Sequence, residues 1–480
     1  MTGRQRGAAR LALATATAAA VLGLGCVAAS AHGAERGFVL LMPTGYAIVG
    51  GAAAVAVTFI ALTMAPDRWM RRIFTGRLPL GRLPDVSITA TSTASFVLLV
   101  LLLAAGWFGV RDPLTNPLPL SIWTAWWVGF PVLHAVFGNL WAALNPFVGP
   151  LRLLDRALGG WISAARRPLP ERWGYFPAIA IFLAFAWFEL VYPAPDDPER
   201  LATAVAVYIA LTFALVATYG EAWLLRGDPF AVFFRLLSGL SPVQVETDAA
   251  GRRRIALVPP GAGLAAREPL PWSGVVFILV TLASVSFDGV SRTFWYLGRI
   301  GVNPLEFPGR TAVVGVNTFG LLVAAAVLVG VFVASIALGK ALSGARAPVG
   351  EIAGRVALSI MPISVAFHFA HYLTALLING QFAVVAANDP LALGWDLLGV
   401  DDHFVTVSFL ATRAGTIAIW TVQTAAIVVG HVLAVVAAHG LLVGWRSDLG
   451  RIGLLEAPLA AAMVLYTGFG LWLLSTPVVG

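Results

Sequence analysis

The chain has 480 residues, 59% of them hydrophobic and 11% charged, with a mean hydropathy of +0.85. A soluble domain carries roughly a quarter of its residues as charges, so this composition excludes a soluble globular enzyme and makes lipid the solvent. The formal net charge of +7 comes from arginines scattered through short connections rather than gathered on one stripe, which excludes nucleic acid as a partner.

At the N-terminus, Arg4, Arg6 and Arg10 precede an apolar stretch from Leu11 to Val27, and Ala29-Ser30-Ala31 supplies a small-x-small cleavage pattern. This predicts a signal peptide over 1–31. Cleavage after Ala31 would start the mature chain at His32, whose α-amine and imidazole together suit copper; the plainer reading is that some residue must follow the cleavage site. Cys26, the single cysteine, falls within the signal, so the mature chain has no thiol chemistry.

Ten apolar segments follow, each of a length that crosses a bilayer. The first five run Thr44 to Met64, Ala94 to Val110, Leu120 to Phe137, Phe176 to Tyr192 and Leu201 to Leu225. The second five run Trp272 to Leu297, Ala312 to Leu338, Val356 to Ile378, Thr416 to Val443 and Pro458 to Leu474. The pattern predicts an all-α, polytopic transmembrane helical bundle forming a single domain over 32–480. Between spans, Leu151 to Ile162 and Pro229 to Leu240 read as helices lying in the interface. Alternation around Asp248-Ala249-Ala250-Gly251 predicts a small cytoplasmic β-hairpin near 242–260.

Arginine and lysine mark alternate connections, as expected of those that face the cytoplasm. Arg68, Arg71, Arg72, Arg77 and Arg82 follow the first span, Arg152, Arg156, Arg166, Arg167 and Arg172 the third, and Arg252 to Arg254 lie in the connection after the fifth. Lys340, Arg346 and Arg355 follow the seventh span, and Arg446 and Arg451 the ninth. The other connections are acidic, with Asp196, Asp197 and Glu199 in one and Asp389, Asp396, Asp401 and Asp402 in another. The expectation is a bacterial inner-membrane protein with both mature termini outward and the lipid bilayer as its first partner.

An ionisable side chain in hydrocarbon costs about 2.5–3.5 kcal/mol even on the lenient scale, so each one is either paired or functional. His368 and His371 stand three apart, on one helix face. His431 and His439 stand eight apart, about 80° from each other around a helix. His368, His371 and His431, with His134 as a fourth, are the candidate ligands of a divalent metal ion, zinc or copper; the alternative is that each imidazole hydrogen-bonds a carbonyl or hydroxyl on a facing helix. Asp288 and Arg292 stand four apart and predict an ion pair. Glu189 and Glu221 lie near opposite membrane faces, within reach of the headgroups. Glu189 and Asp288 share the outward side, where a carboxylate beside a metal-bound water would act as the general base, and they are the candidate catalytic residues. The sequence holds no Gly-x-x-x-x-Gly-Lys, His-Glu-x-x-His or Gly-x-Ser-x-Gly motif, so ATP-driven pumping by this chain alone is not expected.

Several strings together resemble polytopic bacterial proteins of the fenitrothion hydrolase family, membrane-associated organophosphate hydrolases. They are Ala31-His32-Gly33, Gly138-Asn139-Leu140-Trp141 with Leu144-Asn145-Pro146, Gly227-Asp228-Pro229-Phe230, Phe287-Asp288-Gly289 with Ser291-Arg292-Thr293, and the pairs His368/His371 and His431/His439. The likeness extends over most of the chain. It implies hydrolysis of a phosphotriester-like P–O bond in a small apolar ester that partitions into lipid, a reaction that metal-activated water would suit. No residue role is carried over from it. Two other classes fit the residues: a transporter or copper-type permease, and a structural subunit of a membrane assembly.

Overall fold

A computed structural model describes residues 44–82, 86–247, 253–400, 404–443 and 445–479. The signal peptide, Cys26, His32, Asp401, Asp402 and the turn Asp248 to Gly251 lie outside the described residues. The chain is an all-α polytopic bundle. Its long helices are α1 (Thr44–Met64), α2 (Ile88–Phe108), α3 (Pro117–Phe137), α4 (Phe176–Leu190), α5 (Pro198–Tyr219), α6 (Trp272–Ser291), α7 (Val314–Ser343), α8 (Met361–Asn388), α9 (Arg413–Leu442) and α10 (Ile452–Ser475). Among the described residues nine of these are long and apolar enough to cross a membrane, and α4, with 15 residues, is shorter.

At about 1.5 Å per residue α4 covers only some 22 Å. It starts where the Tyr175 N–H donates to Ser273 Oγ (3.1 Å), beside the first turn of α6, and stops three residues before Pro193. Neighbouring helices, not lipid, cover much of it: Phe182 is fully buried, with its ring 5.9 Å from that of Phe277. Other boundaries moved for local reasons. Helix α5 ends at Tyr219 rather than Leu225 because Gly220 takes φ +66°, a left-handed conformation that stops a helix. Helix α8 continues ten residues past Ile378, to Asn388.

The centre of the bundle is α6, with 16 of 20 residues buried, and the first half of α8, whereas α1 fully buries only Gly51 and Val55 and packs Ile48, Ala52, Phe59 and Leu62 partly against the core. Burial on all sides puts the polar residues of α6 and α8, among them Ser284, Ser286, Asp288 and His368, at the centre rather than against lipid. The helix Pro229–Leu237, expected in the interface, is instead buried at eight of its nine positions. Asp228 caps it by accepting from the Ala231 N–H (3.2 Å) and also accepts from Tyr208 Oη (2.7 Å).

The arginine-marked connections gather at one end. Strands β1 (Leu78–Arg82), β2 (Val243–Thr247) and β3 (Arg253–Leu257) form an antiparallel sheet in the order β1-β3-β2. Strands β2 and β3 are the expected hairpin. Strand β1 joins from the connection after α1, with Leu78 opposite Leu257 and a register shift between Pro79 and Gly81. Arg167 N–H donates to the Thr218 carbonyl (2.8 Å), tying the connection after α3 to the end of α5. Arg355 is buried and donates to the carbonyls of Leu441, Arg267 and Ala265. Arg446 pairs with Glu351 and Asp448, and its guanidinium holds the Asp448 carboxyl below the usual carboxylate range. The opposite end is joined by Arg111 with Asp197 (3.0 Å) and by the Phe294 N–H with the Pro477 carbonyl (3.0 Å).

Candidate functional site

Helices α4, α6 and α8 bring four ionisable or hydroxyl-bearing side chains together at the end opposite the arginine-marked connections. Asp288, one turn before the C-terminus of α6, is 1% exposed. Its Oδ1 pairs with Arg292 Nε (3.0 Å), the expected i,i+4 contact, and its Oδ2 accepts from His371 Nε2 (2.6 Å) and Tyr372 Oη (3.1 Å). Tyr372 Oη lies 2.7 Å from Glu189 Oε1, which also accepts from Trp127 Nε1 (2.7 Å). Arg310 Nη1 donates to the Glu189 carbonyl (2.7 Å).

Local sequence explains the convergence. His368, His371 and Tyr372 stand at i, i+3 and i+4 on α8 and share a face. Residues 120–129 of α3 wind as a π-helix, and Pro131 has no N–H to give the Trp127 carbonyl four residues earlier. His368 Nε2 supplies that hydrogen bond instead, at 2.8 Å. The Trp127 carbonyl thereby anchors α8, while its indole N–H reaches Glu189.

The hydrogen bonds also fix protonation patterns. A carboxylate only accepts, so His371 carries its hydrogen on Nε2, and in the neutral ring Nδ1 is a lone pair with no partner among the described residues. The His371 side chain is 27% exposed, against 2% for Asp288, so the imidazole is partly open while its orienting carboxylate is buried. The Tyr372 hydroxyl has one proton to share between two carboxylates. Asp288 is compensated by Arg292, whereas no guanidinium comes within salt-bridge distance of the Glu189 carboxyl among the described residues. Chemically, the arrangement is a base oriented by a carboxylate, next to a second carboxyl and a guanidinium.

Glu189 and Asp288, the candidate catalytic residues, therefore meet through Tyr372, and Glu189 is a member of the cluster rather than a residue reaching for headgroups. Glu221, at the other end, pairs with Arg152 (2.6 Å). His371 joins the cluster, but the other candidate metal ligands do not come to one point. His134 Nδ1 donates to the Phe130 carbonyl (2.8 Å), its Nε2 accepts from the Trp141 N–H (3.0 Å), and its ring stacks on Phe234 (4.4 Å). Both nitrogens are spent in holding the turn at Gly138. His368 is occupied by Trp127 and His371 by Asp288. His431 donates from Nδ1 to the Ile427 carbonyl (2.8 Å), and its Nε2 is buried without a partner among the described residues, an arrangement that costs about 1–3 kcal/mol if nothing fills it. Among the described residues no three His, Cys, Asp or Glu side chains stand close enough to hold a metal ion.

Tyr372, Trp127 and Arg310 are the members that sequence reasoning missed. Tyr372 was within reach, as the residue after His371 on the same face. Trp127 carried a weaker signal, a tryptophan placed four residues before a proline inside a span. Arg310 carried none, because its partner is a main-chain carbonyl. No family model matches the chain, and no match was found among curated proteins or solved structures.

Proposed function

We propose that this chain is a multi-pass protein of a bacterial inner membrane, both mature termini outward, that hydrolyses small apolar esters of the phosphotriester class at the Asp288–His371 pair. The 2.6 Å contact between His371 Nε2 and Asp288 Oδ2 carries the reading. Asp288 holds the imidazole in one tautomer, so Nδ1 is free to take a proton from water. The resulting hydroxide attacks phosphorus, a P–OH bond forms, and the P–O bond to the leaving group breaks. The departing oxygen takes back the proton from the imidazolium, leaving His371 neutral. Arg292, whose side chain is 45% exposed, supplies positive charge where the phosphoryl oxygen becomes negative. Substrate reaches the site from lipid, consistent with its place within the bundle and with the sequence resemblance to membrane-associated organophosphate hydrolases.

The test is release of a phenol from an aryl dialkyl phosphotriester by the full-length protein in detergent. His371→Gln and Asp288→Asn should each lower kcat/KM by about 10²–10⁴-fold while the protein still elutes as a folded species. No turnover by the unmodified protein, or undiminished turnover by both variants, would refute the assignment.

A further inference from the structure

Helix α9 holds a second polar feature that the acid–base cluster does not use. At 100° per residue, Trp420, Thr424, His431 and His439 fall within a sector of about 100°, and from the first to the last the helix rises about 28 Å, close to the ~30 Å hydrocarbon thickness of a bilayer. Each presents a buried polar atom without a hydrogen-bond partner among the described residues: Trp420 Nε1, Thr424 Oγ1, His431 Nε2 and His439 Nε2. Glu456 Oε1, on the facing helix α10, is another. Of the nine such side-chain atoms among the described residues, five therefore belong to one seam. Scattered packing imperfections would not line up along a single helix face.

The chemistry is graded along the seam. At the arginine-marked end, His439 Nδ1 and Glu456 Oε2 are 2.9 Å apart and both side chains are buried. Asp67, on the short helix Asp67–Thr75, is the other charged group acting on His439. Whichever partner carries the proton, His439 Nε2 and Glu456 Oε1 remain available to a further hydrogen-bonding group. In the middle, the Ile427 carbonyl holds the hydrogen of His431 on Nδ1, so the neutral ring turns a bare lone pair inward from Nε2. Phe367 and Tyr466 flank this ring at centroid distances of 5.8 and 6.0 Å, and the Tyr466 hydroxyl hydrogen-bonds Ser286 Oγ, two residues before Asp288. Near the far end Gln423 Nε2 donates to the Ala370 carbonyl (2.8 Å), which sets Thr424 at the level of His371.

We propose that this seam is a hydrated proton path linking the arginine-marked end of the bundle to the level of the Asp288–His371 cluster. Glu456 and His439 are its first station and His431 its midpoint. A proton enters on the Glu456–His439 pair, passes along a file of several waters over the roughly 12 Å rise from His439 to His431, and leaves through water toward Thr424. Only O–H and N–H bonds form and break, and each transfer moves one positive charge. Water suits the seam because each of these atoms offers a water one polar partner, and neighbouring waters of a file supply the others that a buried molecule needs. The inference is independent of the hydrolase reading, since a path of this kind serves either an enzyme or a carrier.

The experiment uses the full-length chain in liposomes loaded with a pH-sensitive dye, with a potassium diffusion potential imposed by valinomycin. Lumenal acidification should exceed that of protein-free liposomes by about tenfold, and Glu456→Gln and His431→Phe should each remove most of the excess, as expected of members of an intramembrane relay. Glu456→Asp, which keeps the carboxylate, should retain more of it than Glu456→Gln. Thr424→Val probes a different station with a smaller change in the core, and should lower the rate even where Glu456→Gln does not reconstitute. A rate equal to that of protein-free liposomes, or His431→Phe and Thr424→Val both conducting like the unmodified chain, would overturn the proposal.

Discussion

Tyr372 is the residue whose single proton links the two carboxylates of the cluster, and its removal makes a sharp prediction. Replacing one partner of a buried hydrogen bond costs about 1–3 kcal/mol, whereas replacing both by apolar groups can be nearly neutral. Tyr372→Phe should therefore lower the melting temperature in detergent, because Glu189 keeps only its Trp127 donor. The double variant Tyr372→Phe/Glu189→Leu should melt above the single one; equal melting of Tyr372→Phe and the unmodified protein would mean that the hydroxyl bridge contributes nothing. At this scale the sequence made part of the site legible. The four-residue spacing of Asp288 and Arg292 and the shared face of His368 and His371 follow from helical geometry alone. Which helix stands opposite that face does not, and so four histidines that look like one ligand set instead have separate partners on α3, α6 and their own helices.

The helices are set against one another by close contacts at glycine, and these decide where the polar residues point. Gly430 on α9 lies directly on α8: a Cβ built there would stand 2.3 Å from the Ala366 Cβ and 2.9 Å from the Pro362 carbonyl. Small residues of this kind let membrane helices approach closely where no hydrophobic force drives them together. Gly430→Leu should push α8 and α9 apart, cost on the order of 1–3 kcal/mol or more by overpacking, and appear as a lower melting temperature with loss of the His371-dependent activity; unchanged melting would show that the contact is not tight. The crossing segments were legible because hydrophobic length is a strong signal, and α1 ends at the expected residue, Met64. Strand β1 was not, since Pro79 and Gly81 argue against a strand; it is an edge strand with an irregular register, where both residues are tolerated. The buried helix Pro229–Leu237 misled for a related reason: a short apolar helix with one arginine reads alike in an interface and in a core.

Across the whole molecule, charge and topology agree. Pairing of β1 with β3, the Arg355 hydrogen bonds and the Arg446 ion pairs place the connections after α1, α5, α7 and α9 at one end, and the Asp288–His371 cluster lies toward the other. The alternation of arginines could be read from sequence. The lacing of those connections into one polar cap could not, because the main-chain carbonyls that Arg355 joins have no sequence signature and the Arg446–Glu351 pair spans 95 residues. The most direct test of the account replaces Cys26, the only native cysteine, with serine and adds one cysteine at a time for labelling of intact cells by a membrane-impermeant maleimide. Leu305→Cys and Leu393→Cys, near the cluster's end, should label from outside, and Arg172→Cys and Ser447→Cys, at the arginine-marked end, only after the membrane is permeabilised. Labelling of members of both pairs from the same side of an intact membrane would contradict the bundle described here.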